Sequence, residues 1–401
     1  GCENHGNVTG IRYLGGIVGF NELNMSDCLN TGSVILKQGN TDGYTGGIVG
    51  EALGEISNVT NHGYVEGVRW NGGIVGYSDG ANVSNASNFG NVHSRNYLLA
   101  TDTGGIVGWQ IGGSITDCMN NGNITSMRNY LGGIVGRNDG TAARCWNSGR
   151  VSGVNITGGI AGLNSGALKD CYSTGPVNGT DVIMGLVASN SGTVDDCFST
   201  GLVTGTGINV GGLAFGAVTD SFWDNQTAGQ TSDPAGNGRS TADMMDMYTF
   251  IGAGWDFSVW AIKHTHTYPF FARDIWNENP DGKDDHYDAL EDHVLSVTAG
   301  GVLDNDWDWD TMVYPFESAD TLSVQTYETT SVNGASVTVH PNGTYTYDPR
   351  GSATLQLLAA GENRTDSFNY TVTDGTSNDT ATVYINVTGA NDVPTAANEA
   401  Y

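Results

Sequence analysis

Short apolar clusters framed by glycine recur through the first half of the chain. The segment GGIVG begins at residues 15, 46, 72, 104 and 132, and shortened forms of it continue to residue 214. Successive copies lie 26 to 32 residues apart. A repeat of this length is typical of a solenoid, a propeller or another array of stacked units.

A second pattern of polar and apolar residues lies at a fixed distance from each GGIVG copy. Its clearest forms are SDCLNTGSV, ITDCMNNGNI, AARCWNSGRV, LKDCYSTGPV and VDDCFSTGLV. Each repeat therefore contains three short strand-like pieces, GGIVG, xIxDCxN and GxVxG, which are separated by glycine, asparagine and aspartate at turn positions. Asp27, Asp117, Asp170 and Asp196 recur in the second piece as turn residues.

Strands this short cannot bury a hydrophobic face alone, but strands stacked on their equivalents one coil away can. The repeats therefore predict an all-β fold, with a β-helix of about 26-residue coils over residues 1–224. At ~4.8 Å per coil, about eight or nine coils would extend roughly 40 Å. We expect Ile17 and its equivalents to point into the core, and the glycines to permit positive φ angles and close backbone contacts.

One position in each repeat holds only small side chains. Its occupants are Cys2, Cys28, Val59, Ala86, Cys118, Cys145, Cys171, Cys197 and Ser221. Stacked neighbours would have Cα atoms ~4.8 Å apart, within the disulfide range. Three disulfides are therefore possible, namely Cys2–Cys28, Cys118–Cys145 and Cys171–Cys197. A ladder of free thiols also explains the position, and we favour it because valine, alanine and serine occur there as well.

Residues 225–273 form an aromatic-rich segment that predicts a cap for the solenoid. The last coil of a solenoid exposes strand edges and core residues, which must be covered. The segment also predicts a short helix over residues 241–250. The apolar side chains available for the cap are Met244, Met245, Met247, Trp255, Phe257, Trp260, Tyr268, Phe270 and Phe271.

The composition changes at residue 274. Residues 274–283 form a polar linker, and residues 284–392 contain short alternating runs such as ASVTVH, GTYTYDP and TATVYINVTG. Six or seven short strands at this density predict an antiparallel immunoglobulin-like β-sandwich. The last residues, 393–401, match the start of this region in their position after a linker, and they predict the beginning of a following module or a terminal strand.

The charge of the chain limits its partners. The formal net charge is −28 and the sequence contains only four lysines, so the chain should be repelled by nucleic acid and anionic lipid. We therefore expect no nucleic-acid partner. No apolar run reaches the ~18 residues of a membrane span, so we expect no span in this segment.

Glycosylation sequons point to the compartment. Fourteen occur, about twice the number that chance predicts, and they favour an extracellular or cell-surface glycoprotein. A threonine-rich repeat that follows asparagine turns would also generate sequons without glycosylation. The candidate acceptors are Asn7, Asn24, Asn58, Asn82, Asn85, Asn123, Asn155, Asn178, Asn225, Asn342, Asn363, Asn369, Asn378 and Asn386.

These motifs resemble two known families. The repeat GGIVG…DCxNxGxVxG, followed by SFWD, GWDF and YPFF, resembles the GLUG-type repeats of bacterial and archaeal surface proteins and adhesins over residues 1–273. The segments DDHYDALEDHVLSVTAGGVLDNDWDWD, PNGTYTYDP and TATVYINVTGANDVP resemble bacterial cadherin-like and VCBS-type repeats over residues 284–394. The first resemblance implies a right-handed β-helical stalk, and the second implies a module that occurs in tandem in adhesins.

The cadherin-like resemblance also implies structural Ca²⁺, a hard cation that takes six to eight oxygen ligands. The ligands that it implies are Asp284, Asp285, Glu291, Asp292, Asp374, Asn391 and Asp392. The segment LDNDWDWD offers a second candidate group of Asp304, Asn305, Asp306, Asp308 and Asp310. All of these residues could instead be solvated turn residues. A bound ion would stiffen the joint between modules.

Catalysis requires acidic or basic groups that converge on one groove, and the charged residues of the coils are few and scattered. We therefore expect no enzymatic activity and no catalytic residues. The sequence favours an adhesin stalk whose partners are other modules or copies of itself, surface glycans, or receptors on partner cells. Two alternatives remain open: a filament or sheath subunit assembled end to end by strand donation, and a polysaccharide-active β-helix enzyme.

Overall fold

The computed structural model describes most of the chain, and it is built almost entirely of β-strands. It divides into two compact units, Gly1–Trp260 with Thr265–Phe271, and Ala261–His264 with the residues from Ala272 onward. The described residues are 1–39, 43–95, 102–127, 130–207, 209–274, 279–298, 300–308, 313–314 and 321–391.

The first unit contains a β-solenoid of about eight coils, as the repeats predict. Its strands form four parallel sheets, which we number 1 to 4 in the order in which the chain visits them. Strands pair in register with their equivalents one coil away, as in the pairs Cys2↔Cys28 and Val65↔Val92. The prediction of three strand pieces per coil is wrong, because each GGIVG copy is divided between sheets 3 and 4.

The strands of the solenoid are short. Sheet 1 consists of Cys2–Asn4, Met25–Asn30, Ile56–Asn61, Asn82–Asn88, Ser114–Thr116, Met119–Asn120, Thr141–Ala143, Trp146–Asn147, Ala167–Lys169, Tyr172–Ser173, Thr193–Asp195, Phe198–Ser199, Phe222–Asp224 and Gly238–Arg239. Sheet 2 consists of Val8–Gly10, Val34–Leu36, Val65–Gly67, Val92–Ser94, Ile124–Ser126, Val151–Ser152, Val177–Gly179 and Val203–Gly205. Sheet 3 consists of Leu14–Gly15, Thr45–Gly46, Asn71–Gly72, Thr103–Gly104, Tyr130–Gly132, Ile156–Gly158, Val182–Met184 and Asn209–Gly211. Sheet 4 consists of Val18–Asn21, Val49–Ala52, Val75–Asp79, Val107–Ile111, Val135–Asn138, Ala161–Asn164 and Val187–Asn190.

Each GGIVG copy forms the corner between sheets 3 and 4. In the second copy, Gly46 ends a sheet 3 strand, Ile48 is fully buried in the core, and Val49 begins a sheet 4 strand. A Cβ atom on Gly47 would lie only 2.1 Å from the carbonyl oxygen of Gly73, so no larger residue fits. The glycines therefore provide close contact, as predicted, whereas the expected positive φ angle does not occur at Gly46 or Gly47.

A ladder of asparagine side chains, all buried except the half-buried Asn4, runs along the ends of the sheet 1 strands. Each amide donates from Nδ2 to the Oδ1 atom of the next member at 2.7–2.8 Å, and also to the carbonyl oxygen of the glycine two residues later. The second glycine of GGIVG packs on this ladder, since a Cβ atom on Gly73 would lie 2.3 Å from Asn88 Cγ. The members are Asn4, Asn30, Asn61, Asn88, Asn120 and Asn147.

The recurring turn residue of sheet 1 has a left-handed backbone. Its φ angle is 58° at Asp27 and Asp117, 51° at Asp170 and 49° at Asp196. Aspartate and asparagine tolerate this conformation better than most residues, because their short side chains bond to the local backbone. This requirement explains why the aspartates recur beside the small-residue position.

The six cysteines are free thiols, and the four later ones are fully buried. In those four, each thiol donates to the carbonyl oxygen two residues earlier at 3.0–3.2 Å. Ser221 makes the same bond from its hydroxyl to the Thr219 carbonyl oxygen at 2.7 Å. The structure therefore contains the free-thiol ladder. In the coils where the turn interrupts the sheet 1 strand, this position requires a small side chain that can donate a hydrogen bond.

Trp223 closes the last coil. Its side chain is 2% exposed and belongs to the solenoid core, in the position that Ser199 occupies one coil earlier. The indole Nε1 donates to the Gly236 carbonyl oxygen at 2.8 Å. The strand Gly238–Arg239 then pairs with the last coil and covers its edge.

Two further aromatic residues of the predicted cap bond to the last coil, Trp255 Nε1 to the Asp220 carbonyl oxygen and the Tyr268 hydroxyl to Asp224 Oδ2, each at 2.7 Å. Trp260 and Phe271 lie on the side of the solenoid instead. Trp146, Tyr172 and Phe198 stack on successive coils, with neighbouring ring planes within 12° of each other. Trp260 and Phe271 pack against this stack. The segment therefore buries an aromatic column that the last coils present on their outer surface.

Two short helices precede this aromatic cover and confirm the helix predicted over residues 241–250. They are Thr241–Met244, with a capping box between Ser240 and Asp243, and Met247–Ala253, which ends at the left-handed Gly254. The chain continues through the strands Trp260–Lys263 and Phe270–Phe271 and the 3-10 helix Ala272–Asp274.

The second unit consists of two sheets whose buried residues form one core, as predicted for a sandwich. Its first strand pairs parallel to its last, with Asp285 opposite Val383, so the sheet is not purely antiparallel. The first sheet contains, in spatial order, Asp285–Leu290, Asn378–Thr388, Asn363–Thr373 and Ser323–Tyr327. The second contains Leu295–Val297, Tyr345–Asp348 and Ser336–Val339. The remaining elements are the strand Val313–Tyr314 and the 3-10 helices Gly301–Leu303, Pro349–Gly351 and Leu355–Leu357.

Replacing an internal member of the asparagine ladder should destabilise the solenoid. Asn88→Ala removes the donor to Asn120 Oδ1 and to the Gly90 carbonyl oxygen, and it leaves a cavity. We expect the free energy of unfolding to fall by roughly 2–4 kcal/mol. Urea unfolding followed by far-UV circular dichroism measures this change.

The matched control is Asn121→Ala, because Asn121 is exposed and accepts one surface hydrogen bond from Ser148. This control should change the stability by less than about 0.5 kcal/mol. Equal effects of the two substitutions would show that the ladder does not stabilise the coils.

Candidate functional site

The predicted calcium ligands of the second unit lie at opposite ends of its first sheet. Asp284 and Asp285 stand at the start of the strand Asp285–Leu290, whereas Glu291 and Asp292 follow its end. Six residues of extended strand separate Asp285 from Glu291 by about 20 Å. One ion therefore cannot bind both groups.

At the first end, two carboxylates surround the hydroxyl group of Tyr370. The hydroxyl donates to the Val302 carbonyl oxygen at 2.6 Å, and it lies 2.9 Å from Asp306 Oδ2 and 3.4 Å from Asp285 Oδ2. Asp306 also accepts from the backbone N–H of Lys283 at 2.7 Å. Tyr370 was not among the predicted site residues. Its one signal in the sequence is that it lies on the apolar face of the alternating run DSFNYTVTDG.

This end of the sheet favours protonated carboxyl groups. Burial raises the pKa of Asp285 to about 7, and the negative charge of Asp306 adds to this effect. Burial also raises the pKa of Asp306, against the opposing hydrogen bonds from Lys283 and Tyr370. Since Tyr370 has one hydrogen and gives it to Val302, a carboxyl that keeps its proton can donate to the Tyr370 oxygen.

The neighbouring predicted ligands, Asp284 and the other members of the second acidic group, are spread around Asp285 and Asp306. Asp284 Oδ1 accepts from a backbone N–H of the strand Asn378–Thr388 at 2.8 Å, and Asn305 Nδ2 donates to the Asp284 carbonyl oxygen at 3.1 Å. Asp304 is exposed and Asp308 is buried. The predicted ligand Asp310 lies outside the described residues.

Asp374 acts within its own turn. Its Oδ1 atom accepts from the backbone N–H groups of Thr376 and Ser377 at 2.6 Å each, and its Oδ2 accepts from the Ser377 hydroxyl at 2.6 Å. These bonds fix the hairpin between the strands Asn363–Thr373 and Asn378–Thr388. Its described hydrogen bonds therefore stabilise a turn and do not join it to the other predicted ligands.

At the second end, Glu291 is fully buried beside the last described residues of the module. Its Oε1 atom accepts from the Ala390 N–H at 2.6 Å, whereas its Oε2 atom has no hydrogen-bond partner among the described residues. Asp292 and Asn391 are exposed, and Asp392 lies outside the described residues. A buried carboxylate oxygen without a donor is costly, so the surroundings of Glu291 favour a cation. At the first end, Asn305 Oδ1 is also buried without a hydrogen-bond partner among the described residues, but it carries no charge.

No three His, Cys, Asp or Glu side chains within the described ranges lie close enough together to hold a metal ion. Ca²⁺ also accepts amide, backbone carbonyl and water oxygens, so this finding concerns carboxylate-rich sites in particular.

The predicted glycosylation acceptors are exposed, except Asn155 and Asn178, which are half-buried. Asn58 and Asn85 have left-handed φ angles of 53° and 50° in the turns of sheet 1. A glycan requires an acceptor that is accessible to solvent, which the exposed asparagines satisfy.

Two family models match the chain. Residues 277–389 match the bacterial cadherin-like domain, and residues 100–125 match the GLUG motif. The matches occur in the order that the sequence resemblances predict, and both resemblances are confirmed. The chain is thus a GLUG-containing β-solenoid followed by a cadherin-like domain, a combination that points to a surface or adhesion-type protein.

One curated relative shares a short region with the chain. Over 54 residues the chain is 48% identical to a protein of Evansella cellulosilytica that is described as a Gly-rich membrane protein. This region covers 13% of the chain and 6% of the relative, so the chain spans a small fraction of that protein's length. No solved structure matches the chain.

Helices long and apolar enough to cross a bilayer do not occur in the described part of the chain.

The acid pair predicts a pH-dependent stability of the second unit. Because the pKa of Asp285 is about 7 in the folded protein and near 3.8 in the unfolded chain, the folded state binds more protons between these values. Its stability should therefore fall as the pH rises from about 4 to 7. We expect a loss of about 1–3 kcal/mol, since ~1.4 kcal/mol accompanies each pKa unit and nearby solvent screens part of the shift.

Amide hydrogen exchange of the strand Asn363–Thr373 at several pH values measures this loss, after correction for the intrinsic exchange rate. In Asp285→Asn the fall should be smaller, whereas substitution of the exposed Asp292 by asparagine should leave it unchanged. A fall of the same size in Asp285→Asn would rule out this carboxyl as its source.

Proposed function

We propose that this chain is part of a non-enzymatic extracellular protein, in which the solenoid spaces and supports adhesive modules at a cell surface. The observation that carries the proposal is the order of its parts, a GLUG-containing solenoid followed directly by a cadherin-like module. The exposed sequons and the high negative charge suit an extracellular location.

The internal residues of the solenoid support a structural role. Its core is filled by stacked aliphatic side chains, thiols and amides, and the recurring aspartates of sheet 1 adopt a left-handed turn. The basic residues beside that turn form ion pairs, such as Arg144 with Asp117 at 2.7 Å and Lys169 with Asp196 at 2.9 Å. These opposite charges neutralise one another between neighbouring coils. Paired charges of this kind suit a rigid spacer better than a catalytic groove.

Surface labelling tests this location. Antibodies raised against residues 284–391 should bind intact cells of the source organism, and brief protease treatment of those cells should remove the signal. A cytosolic protein serves as the control that must resist the protease. Signal that appears only after lysis would contradict the proposal.

We also propose a Ca²⁺ site at the end of the module that contains Glu291. The fit rests on the unpartnered Oε2 atom of this buried carboxylate and on the exposed side chain of Asn391. A bound Ca²⁺ supplies positive charge and binds several oxygens at once. Glu291 would provide the buried anionic ligand, and its bond from the Ala390 N–H holds the carboxylate in place.

The Asp285–Asp306 end is a poorer candidate for the ion. Asp285, whose pKa is raised to about 7, keeps a proton in part of the molecules at neutral pH, and the carboxyl oxygens already face the Tyr370 hydroxyl and the Lys283 N–H. Ca²⁺ would have to displace that proton and break these contacts. We therefore assign the calcium proposal to the Glu291 end alone.

Calcium should stabilise the second unit through Glu291. At a Ca²⁺ concentration about ten times the dissociation constant, binding adds about 1.4 kcal/mol to the free energy of unfolding. Extracellular sites bind at roughly 10⁻⁴–10⁻³ M, so millimolar Ca²⁺ suffices. Thermal melting of the full chain with Ca²⁺ or EDTA should show this gain in the wild type and lose it in Glu291→Gln.

The matched control is Glu328→Gln, because Glu328 is exposed and accepts a bond that glutamine can also accept. This variant should keep the full response to calcium. The absence of any calcium effect in the wild type would remove the ion from this module, and an undiminished effect in Glu291→Gln would place it elsewhere.

A further inference from the structure

A continuous group of aromatic side chains lies on the outside of the first four coils. Neighbouring ring centroids within it are 4.5–6.2 Å apart. We call this group the aromatic strip, and its members are Tyr13, Phe20, Tyr44, Trp70, Tyr77 and Trp109. Four of them are half-buried, Phe20 is 44% exposed and Trp70 is the most enclosed.

The fold does not require aromatic residues in these positions. Phe20, Tyr77 and Trp109 occupy one outward slot of sheet 4, where successive coils are in register. In later coils the same slot is filled by Leu163 and Ser189, and sheet 4 continues without change. The aromatic character of the first coils therefore needs another explanation than coil stacking.

Carboxylates lie between and beside the rings. Glu51 occupies the sheet 4 slot between Phe20 and Tyr77, and Asp79 is exposed two residues after Tyr77 on the same side of the strand. Partial burial, together with the charge of Asp79, raises the pKa of Glu51. Two negative groups are thus held near each other at an aromatic surface. A hydroxyl-rich ligand would stabilise these carboxylates by donating hydrogen bonds to them.

The rings are held in place before any ligand arrives. Trp109 Nε1 donates to Asp139 Oδ2 at 2.8 Å, and the Arg137 guanidinium lies 4.7 Å from the Trp109 ring centroid while donating to the same carboxylate. Tyr13 and Trp70 have left-handed φ angles of 42° and 40°, which are strained for aromatic residues. Such strain persists where the surrounding structure fixes it, and it is concentrated at ligand-binding sites.

We propose that the aromatic strip binds a neutral glycan chain that runs across the coils. The faces of pyranose rings are apolar C–H surfaces that stack on aromatic rings, and their hydroxyls donate to Glu51 and Asp79. Consecutive sheet 4 slots are ~4.8 Å apart, which is on the order of the length of one sugar in an extended chain. Three guanidinium groups, those of Arg12, Arg69 and Arg137, lie 4.2–5.3 Å from ring centroids of the strip and offset its carboxylates locally. The net charge of −28 on the whole chain nevertheless disfavours an acidic polysaccharide.

This proposal deepens the proposed surface role by naming a ligand class and its site. Isothermal titration calorimetry of the full chain with cellohexaose, xylohexaose and mannohexaose tests it, with a polygalacturonate oligomer as the anionic comparison. We expect at least one neutral hexasaccharide to bind and the anionic oligomer to bind at least tenfold more weakly. Binding should also change the fluorescence of Trp109.

Phe20→Ala and Tyr77→Ala should each weaken binding at least tenfold. Leu163→Ala is the matched control, since it truncates the same sheet 4 slot outside the strip, and it should leave the affinity unchanged. Far-UV circular dichroism verifies folding. If Tyr77→Ala fails to fold, Phe20→Ala and Glu51→Gln decide the question, because Phe20 is exposed and glutamine has nearly the same size as the half-buried Glu51.

Three results would overturn the proposal: no binding of any neutral hexasaccharide, tighter binding of polygalacturonate, or unchanged affinity in both Phe20→Ala and the second folded strip variant. None of these results bears on the surface-labelling experiment. The glycan site and the cell-surface location can therefore fail independently.

Discussion

The solenoid depends on one repeated contact, in which the second glycine of each GGIVG copy lies against the amide of a buried asparagine. A Cβ atom on Gly105 would be 2.4 Å from Asn120 Cγ and 2.0 Å from the Gly133 carbonyl oxygen, so the corner closes only around glycine. The same amide bonds to the next coil at 2.7 Å. One asparagine side chain therefore packs against the corner of its own coil and also bonds that coil to the next one.

This contact makes the register unambiguous. A shift of one residue in any strand would place a side chain where the corner admits only hydrogen, and it would break the chain of amide bonds. Positions that do not touch the corner are freer, as the sequence Cys28, Val59, Ala86 in one slot illustrates. The ladder ends where Ser173 and then Ser199 replace asparagine, before Trp223 fills the last position. This ending has a cost, because the Ser173 hydroxyl is buried without a hydrogen-bond partner among the described residues.

The repeat period was enough to predict the solenoid, because a fixed spacing of glycine and small residues has few other solutions. The number of sheets was not predictable, since GGIVG is too short to show that it bends between Gly46 and Val49. The position of Trp260 was not predictable either, because its contact with the stacked rings of Tyr172 and Phe198 joins residues far apart in sequence. The apolar composition of residues 225–273 indicated that they cover part of the solenoid, but it did not indicate which surface.

The acidic residues of the second unit show a sharper limit. Their types and their family resemblance predicted calcium ligands, but a sequence does not reveal that Asp285 and Glu291 stand at the two ends of one strand. Tyr370 determines what Asp285 and Asp306 can do, and it is 64 residues from Asp306 along the chain. Residue type thus predicted the chemistry, whereas the assignment of residues to one site required strand pairing.

The unequal coil lengths have a consequence for how such a protein can change. The longer periods place their additional residues between a sheet 2 strand and a sheet 3 strand, after Leu36 in one coil and after Ser94 in another. The pairs Leu14↔Thr45 and Asn71↔Thr103 on the far side of these additions remain in register. This corner is therefore a permissive graft point, where foreign peptides can be displayed at chosen heights while the scaffold beneath them stays the same.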